Sequence, residues 1–164
     1  MHSSVMEFFM LNANLEEFKG KTVLEVGSRD VNGSVRPFTE SKLKPLYYLG
    51  ADIIPGPRVD LVIKAEDLLK LFLPGTFDVV ICLETLEHIE DWNKALANMK
   101  ALLVKGGVIF LTTRSEPFAK HDWPGDYWRF TLEDLSKAFS DFEILVLKKD
   151  PLFPGVFLKA RKPI

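Results

Sequence analysis

The sequence predicts an α/β domain with a doubly wound, seven-stranded and mostly parallel sheet that ends in a C-terminal antiparallel hairpin. Three observations predict it. Short β-rich runs alternate with helical patterns, a glycine-containing loop follows the first run, and the last two runs are separated by prolines rather than by a helix. The 164 residues fit one domain, which we expect to span 1–164, with 1–19 as an N-terminal helical segment.

The pattern of apolar residues over 1–75 predicts short strands separated by helical segments. Apolar side chains recur at helical spacing over residues 3–18, which suits one amphipathic helix or two short ones. Pro37 is expected in the first turn of a later helix, where proline is tolerated, and Pro74-Gly75 closes another. We therefore expect strands over 22–26, 47–51 and 59–63, and helices over 34–43 and 66–72.

Residues after 75 predict the rest of the sheet. The apolar run 77–83 is typical of a strand buried on both faces, and a helix over 91–103, ended by Gly106-Gly107, precedes a strand over 108–112. Thr131, followed by two acids, is suited to cap a helix over 131–139. The final strands, 142–147 and 156–159, are joined through prolines that leave no room for a crossover helix, so they should form an antiparallel hairpin.

Composition excludes several classes of function. The net charge of −2 offers no whole-domain attraction for nucleic acid or an anionic membrane. The single cysteine, Cys82, lies in an apolar run, so we expect a buried hydrophobe in a reducing compartment. The sequence has neither a metal-binding cluster, nor an apolar stretch of the roughly 20 residues that span a bilayer, nor a signal-peptide pattern. A cytoplasmic protein is therefore expected.

The loop after the first strand predicts a ligand without a pyrophosphate. It runs Glu25-Val26-Gly27-Ser28-Arg29-Asp30, and Arg29 stands where dinucleotide sites carry their second glycine, the residue that admits the pyrophosphate. Asp52 ends the second strand, 25 residues after Gly27. A carboxylate there can accept hydrogen bonds from two ribose hydroxyls, although a solvated loop aspartate before Pro55 is the alternative.

The chain resembles a class I S-adenosylmethionine-dependent methyltransferase of the small-molecule type. Four segments in this order carry the resemblance: Val23–Gly27, Asp52, Phe77–His88 and Leu103–Phe110. The resemblance runs from about residue 20 to the C-terminus. It implies a Rossmann-like fold, S-adenosylmethionine as cofactor, and methyl transfer to an oxygen or nitrogen nucleophile of a small or medium-sized acceptor.

The resemblance also implies site residues. Glu25, Val26, Gly27 and Ser28 would lie under the methionine part of the cofactor, Asp52 would bind the ribose, and Ile53 would pack on the adenine. Ala65, Glu66 and Asp67 fall at the adenine edge, Leu83 and Glu84 beside the sulfonium, and His88 just beyond. Two departures are Arg29, for a family glycine, and Lys64, where many members carry an acid.

The candidates for catalysis and acceptor binding follow strands four and five. His88 and His121 are the candidate bases, although His88 could equally cap or pack the next helix, and Glu87 is interpreted as a solvated helix-face acid. In the loop 116–130 we expect Trp128 and Phe130 on the core, with the other polar and aromatic groups toward the acceptor. The alternative is a core-covering loop in which Arg129 pairs with Asp126 or Asp122. The acceptor-binding candidates are His121, Asp122, Tyr127, Trp128 and Arg129.

Two other functions compete with this one. A non-catalytic S-adenosylmethionine-binding sensor or partner subunit stays open, because the chain is small and carries Arg29 in its loop. A nicotinamide-dependent oxidoreductase is disfavoured by Arg29 and by the C-terminal hairpin. We further expect the N-terminal segment to form a lid, and the apolar stretch 151–157 hints at a homo-oligomer.

Overall fold

In a computed structural model that describes residues 1–121 and 125–164, the predicted sheet is present with all seven strands. Their order across the sheet is β3-β2-β1-β4-β5-β7-β6, and every neighbouring pair is parallel except those of β7, which is antiparallel to β5 and to β6. The fold class and the C-terminal hairpin are thus confirmed. The strands are β1 (Thr22–Val26), β2 (Tyr47–Asp52), β3 (Leu61–Val62), β4 (Phe77–Leu83), β5 (Leu103–Arg114), β6 (Glu143–Lys149) and β7 (Gly155–Arg161).

Helices and single turns connect the strands. Asn14 caps the second helix and Asp91 the fourth, each accepting a hydrogen bond from a backbone N–H three residues on. Thr131 caps the fifth and forms a capping box with Asp134. The helices are α1 (Ser3–Asn12), α2 (Leu15–Phe18), α3 (Arg36–Phe38, continued by a π-helical turn over Thr39–Leu43), α4 (Trp92–Leu102) and α5 (Leu132–Ala138), with 3₁₀ turns at Ala65–Lys70 and Leu86–His88.

Strand β5 begins earlier than its apolar pattern predicts. Helix α4 ends at Leu102, and the strand starts at the next residue rather than at 108. Leu103 pairs with Phe77, the register then shifts, and regular pairing resumes at Val108. Gly106 has a φ of +76° within this irregularity, a conformation that glycine adopts without strain, so the glycine pair interrupts the strand instead of ending the helix.

The sheet separates two apolar clusters, as alternating side chains on a strand require. One packs α4 and α5 against one face. The other packs α1 and α2 against the opposite face, where Val5, Phe8 and Phe9 are fully buried. Helix α1 therefore belongs to the core. Within residues 1–121 and 125–164, no helix has the length and apolar character that crossing a bilayer requires.

The strand order reverses between β1 and β4. In open parallel sheets the loops at the carboxyl ends of the strands diverge at such a point and leave a crevice. Here the crevice is a cavity of about 680 Å³ lined by residues that follow β1, β2, β4 and β5, together with the first two residues of the chain. The fold therefore brings the predicted site segments to one edge of the sheet.

Candidate active site

The cavity collects most of the residues that the sequence singled out, but not all of them. Five of the predicted residues do not line the cavity: Glu25, Ser28, Asp67, Trp128 and Arg129. Asp122 lies outside the described residues. The predicted residues that do line it are Val26, Gly27, Asp52, Ile53, Ala65, Glu66, Leu83, Glu84, His88, His121 and Tyr127.

The loop after β1 holds Asp52 through its backbone. The two carboxylate oxygens of Asp52 accept hydrogen bonds from the backbone N–H groups of Arg29, at 3.1 Å, and Ile54, at 2.9 Å. Gly27 has a φ of +79° and packs so closely on Thr85 that a Cβ would collide with that side chain. The side chain of Arg29 lies against Gly56 on the cavity wall. Arg29 thus contributes the N–H that orients Asp52, a role that does not require glycine.

Glu25 lies behind this loop rather than on the cavity. It is buried, and it accepts a hydrogen bond from the Tyr48 hydroxyl at 2.7 Å. Burial raises the pKa of Glu25 to about 7, although the Tyr48 hydrogen bond opposes the rise. Any effect of Glu25 on a ligand in the cavity would be indirect, through the position of the loop.

Ser28 and Asp67 also lie off the cavity wall. The buried hydroxyl of Ser28 packs against Gly50 of β2 and has no hydrogen-bond partner among the described residues. Asp67 faces the surface and forms an ion pair with Lys70 at 2.8 Å. Of the three residues predicted at the adenine edge, Ala65 and Glu66 therefore remain on the cavity and Asp67 does not.

Glu84, at the end of β4, belongs to a buried ion network. Its φ is +51°, a left-handed conformation that is uncommon for a residue with a side chain. Its carboxylate pairs with Arg114 and with the His2 ring, and it accepts a hydrogen bond from the His2 backbone N–H at 2.9 Å. Arg114 is almost fully buried and also pairs with Asp150 at 3.0 Å. Burial opposes ionisation, but Arg114 and His2 outweigh it and lower the pKa of Glu84.

Glu87 is not the solvated acid that its sequence position indicated. It lies in the 3₁₀ turn Leu86–His88 and is 1% exposed. The loop closes over it, because the backbone N–H groups of Tyr127 and Trp128 donate to its carbonyl at 2.9 and 3.3 Å. One carboxyl oxygen, Oε2, accepts a hydrogen bond from the Thr113 hydroxyl at 3.0 Å, and Oε1 has no partner among the described residues. Burial raises the pKa of Glu87 to about 7.

The imidazoles of His88 and His121 meet on the cavity wall with ring centres 4.7 Å apart. Nδ1 of His88 contacts the carbonyl oxygen of Gly125, and Nδ1 of His121 lies 3.2 Å from Oδ2 of Asp126. The carbonyl oxygen of Gly125 can only accept, so Nδ1 of His88 carries a proton. In the neutral ring, Nε2 of His88 is then left as an acceptor.

The interpretation that Arg129 faces the acceptor is wrong. Its guanidinium binds both carboxylate oxygens of Asp126, and these hydrogen bonds, more than any other cause, lower the pKa of Asp126 to about 2. The alternative pairing with Asp126 is the one present. Trp128 donates from Nε1 to the carbonyls of Ile89 and Glu90, each at 3.1 Å. Arg129 and Trp128 instead line a second cavity of about 620 Å³, beside α4 and α5.

Both apolar and acidic side chains line the main cavity. Ile53, Ile54, Ile63 and Leu68 form an apolar wall beyond Asp52. Five carboxylate side chains line the cavity against three of lysine or arginine. Within the described part of the chain, no group of three or more His, Cys, Asp or Glu side chains could hold a metal ion.

Comparison with known proteins identifies relatives. A family model described as a methyltransferase domain matches residues 4–144. The ubiquinone biosynthesis O-methyltransferase of Dechloromonas aromatica (strain RCB) is 33% identical over 104 residues, which are 57% of this chain and 44% of that protein. The chain spans less than half the length of the curated relatives it matches.

Solved structures share the fold at low sequence identity. The 1,6-didemethyltoxoflavin-N1-methyltransferase of Burkholderia thailandensis, with bound 1,6-didemethyltoxoflavin and S-adenosylhomocysteine, superposes with a TM-score of 0.75 at 16% identity, over 99% of this chain and 78% of that one. The [4+2]-cyclase SpnF superposes with a TM-score of 0.69 at 13% identity, over 97% and 82%. Proteins named for different reactions therefore share this fold.

Proposed function

Because the chain belongs to the methyltransferase domain family, we propose that it transfers a methyl group from S-adenosylmethionine to a small or medium-sized acceptor. The observation that carries the proposal is Asp52. Two backbone N–H groups hold its carboxylate at the end of β2, on the same cavity as the residues that end β4. Relatives named O-methyltransferases favour an acceptor hydroxyl over an amine.

The residues on the cavity fit this methyl donor. Asp52 can accept hydrogen bonds from both ribose hydroxyls, since a carboxylate offers several lone pairs. The adenine would lie along Ile53 and Ile63, with Ala65 and Glu66 at its edge. The carboxylate of Glu84, whose pKa is lowered, lies on the cavity at the β4 end, where a negative charge favours a cationic sulfur.

The chain needs few reactive groups for this chemistry. When bound, S-adenosylmethionine supplies a methyl group that its cationic sulfur has already activated. The protein must align the acceptor, exclude water and accept a proton, and alignment alone can be worth roughly 7–11 kcal/mol. On the acceptor side, Nε2 of His88 can accept a hydrogen bond from a hydroxyl, and His121, Phe118 and Tyr127 offer aromatic surface.

The N-terminal residues complete the proposed site. Met1 and His2 line the cavity, and His2 contacts both Glu84 and the Phe118 ring. We propose that these two residues are the lid, while α1 packs in the core. Deleting residues 1–18 would remove buried phenylalanines, so His2→Ala is the cleaner test of closure.

The proposal also covers the cellular location of the chain and its self-association. Cys82 is free and fully buried, which suits a reducing compartment such as the cytoplasm. Leu152 and Phe153 leave apolar surface before β7, which supports self-association of the chain. Sedimentation analysis with Leu152→Ser as the variant tests the assembly.

Isothermal titration with S-adenosylhomocysteine tests the donor site. Asp52→Asn should raise the dissociation constant about 10- to 100-fold, because hydrogen bonds to a charged group contribute roughly 1.5–3 kcal/mol. Asp141→Asn, which removes an exposed carboxylate paired with Lys100, is the matched control. Unchanged affinity in Asp52→Asn, or a preference for NAD, would contradict the proposal. Tight binding without turnover of hydroxyl or amine acceptors would instead favour a sensor or partner subunit.

A further inference from the structure

We propose that His2 sets the preference of the site for the cationic methyl donor over its neutral product, and that this preference depends on whether the His2 ring is protonated. The inference rests on the proposed function and names a regulation of that site. S-adenosylmethionine carries a positive charge on sulfur, and S-adenosylhomocysteine does not. His2 and Glu84 both line the cavity, and they contact each other there.

Three groups converge on the carboxylate of Glu84. Nδ1 of His2 and Nη2 of Arg114 both contact its oxygen Oε1, and these two nitrogens lie 3.0 Å apart. The backbone N–H of His2 donates to Oε2 at 2.9 Å. Two of the three groups belong to His2, so the Glu84 carboxylate holds the N-terminal segment against the end of β4.

The charges of this network balance only with a further cation. Arg114 is the guanidinium between two carboxylates, those of Glu84 and Asp150. Burial raises the pKa of Glu84, but Arg114 and His2 lower it more, so this carboxylate is ionised. The side chains of Arg114 and Asp150 are almost completely buried, where water and salt screen charges poorly. An unbalanced buried charge is costly, so the network favours a second positive charge beside Glu84.

Two cations can supply this charge from the cavity side. One is the protonated ring of His2, which has a hydrogen on each nitrogen and can therefore donate from Nδ1 to Glu84. The other is the sulfur of the methyl donor, which would lie at the end of β4 under the proposed function. Like charges this close repel each other. A protonated His2 should therefore weaken binding of the donor and leave binding of the neutral product almost unchanged.

The charged groups around His2 come from the ends of three strands and from its own segment. They are Glu84 and Glu87 after β4, Arg114 at the end of β5, Asp150 behind Arg114, and, on the N-terminal segment, the amino group of Met1 and the exposed Glu7. The rings of Phe118 and Phe153 cover the imidazole, with ring centres 5.7 and 4.6 Å from its own. A cation bound in the cavity beside Glu84 would thus add a positive charge next to the imidazole.

Isothermal titration with both ligands tests the inference without turnover. The ratio of the dissociation constant of S-adenosylhomocysteine to that of S-adenosylmethionine should rise at least about 5-fold from pH 5.5 to pH 7.5, the lower end of the usual coupling between two linked sites. Titration of the ligands themselves is common to all variants and cancels when variants are compared. In this pH range the donor should release more protons on binding than the product does, seen as an enthalpy that varies with the ionisation enthalpy of the buffer.

Two substitutions of His2 should act in opposite directions. His2→Gln cannot be protonated, so the ratio should keep its high value down to pH 5.5. His2→Lys keeps a positive charge, so the ratio should keep its low value up to pH 7.5. A purely structural role of His2 would instead weaken both ligands alike at every pH. His88→Gln and His121→Gln, which remove the other two imidazoles on the cavity, are the matched controls and should retain the pH dependence.

The outcomes separate this inference from the proposed function. Binding of neither ligand would reject the proposed function itself. With binding intact, a ratio that does not change with pH in the unaltered chain, or a pH dependence that His2→Gln retains, would overturn the inference alone. A pH dependence that disappears in His88→Gln or His121→Gln but not in His2→Gln would also overturn it, because another imidazole would then lie beside the sulfur.

Discussion

Glu25 and Glu87 are two buried glutamates with the same raised pKa of about 7 and different surroundings. Glu25, on β1, accepts a hydrogen bond from Tyr48 and lies off the cavity. Glu87, in the turn after β4, lies beside the cavity, and its carboxyl oxygen Oε1 is buried without a hydrogen-bond partner among the described residues. Burial alone produces a perturbed carboxyl, so a perturbed pKa does not identify a reactive group. A buried carboxyl oxygen without a hydrogen-bond partner among the described residues distinguishes the second glutamate from the first.

The same contrast extends to the two halves of the cavity. After β1 and β2, backbone N–H groups position a single carboxylate, Asp52. After β4 and β5, a buried ion network centred on Arg114 joins Glu84, Asp150 and the N-terminal His2. The half of the cavity after β1 and β2 thus depends on loop conformation, and the half after β4 and β5 depends on charge balance.

Removing the charge at the centre of that network should have the largest effect. We expect Arg114→Met to lower the free energy of unfolding by about 3–5 kcal/mol, because it leaves buried carboxylates without their cation. Urea denaturation at pH 7 measures it. Lys137→Met, which breaks an exposed pair with Glu133, should cost less than about 1 kcal/mol. A loss at Arg114 as small as that of the control would show that water already screens the network.

The two glutamates should make stability depend on pH in the same direction. Their pKa values are raised in the folded chain, so the native state holds two protons that the unfolded chain releases between about pH 4.5 and pH 7. The free energy of unfolding should therefore fall as the pH rises through this window, by about 3 kcal/mol for each carboxyl. The contribution of these two glutamates is greatest below pH 4.5, and its loss is complete above pH 7.

Glu25→Gln and Glu87→Gln should each remove one of the two contributions. Urea denaturation between pH 4.5 and pH 8.5 measures the slope, which should be about halved in either variant and nearly flat in the double variant. If Glu87→Gln keeps the full pH dependence of the free energy of unfolding, then Glu87 is hydrated in the native protein. The proposed difference between the two glutamates would then be wrong.

The sequence predicted the fold well because its strongest signals are local. Apolar runs placed β1, β2, β4 and the hairpin, and the prolines before β7 excluded a crossover helix. The start of β5 was missed, because Gly106 and Gly107 are typical of a helix end, and only pairing with Phe77 draws Leu103 into the sheet.

The site was predicted less well where it depends on distant contacts. Asp52 was predicted at the carboxyl end of β2, and it lies on the cavity there because the ends of parallel strands meet at one edge of the sheet. Glu87 was misjudged, because nothing near it in sequence reveals that residues 125–130 fold over the turn that carries it. Its place four residues after a buried strand, next to His88, was the available signal. Arg129 was misplaced for the same reason, since its partner Asp126 engages both His121 and the guanidinium.

The smallest expected effect comes from removing the hydroxyl group that donates a hydrogen bond to each glutamate. Tyr48→Phe and Thr113→Val each remove one donor and should each cost about 1 kcal/mol, more above pH 7, where the carboxylate is ionised, than at pH 5. Both substitutions should raise the pKa of the glutamate that loses its donor, because the hydrogen bond favours the charged form. Urea denaturation at pH 5 and pH 8 measures both costs. A cost of Thr113→Val that does not grow with pH would show that the hydrogen bond does not favour the ionised form of Glu87.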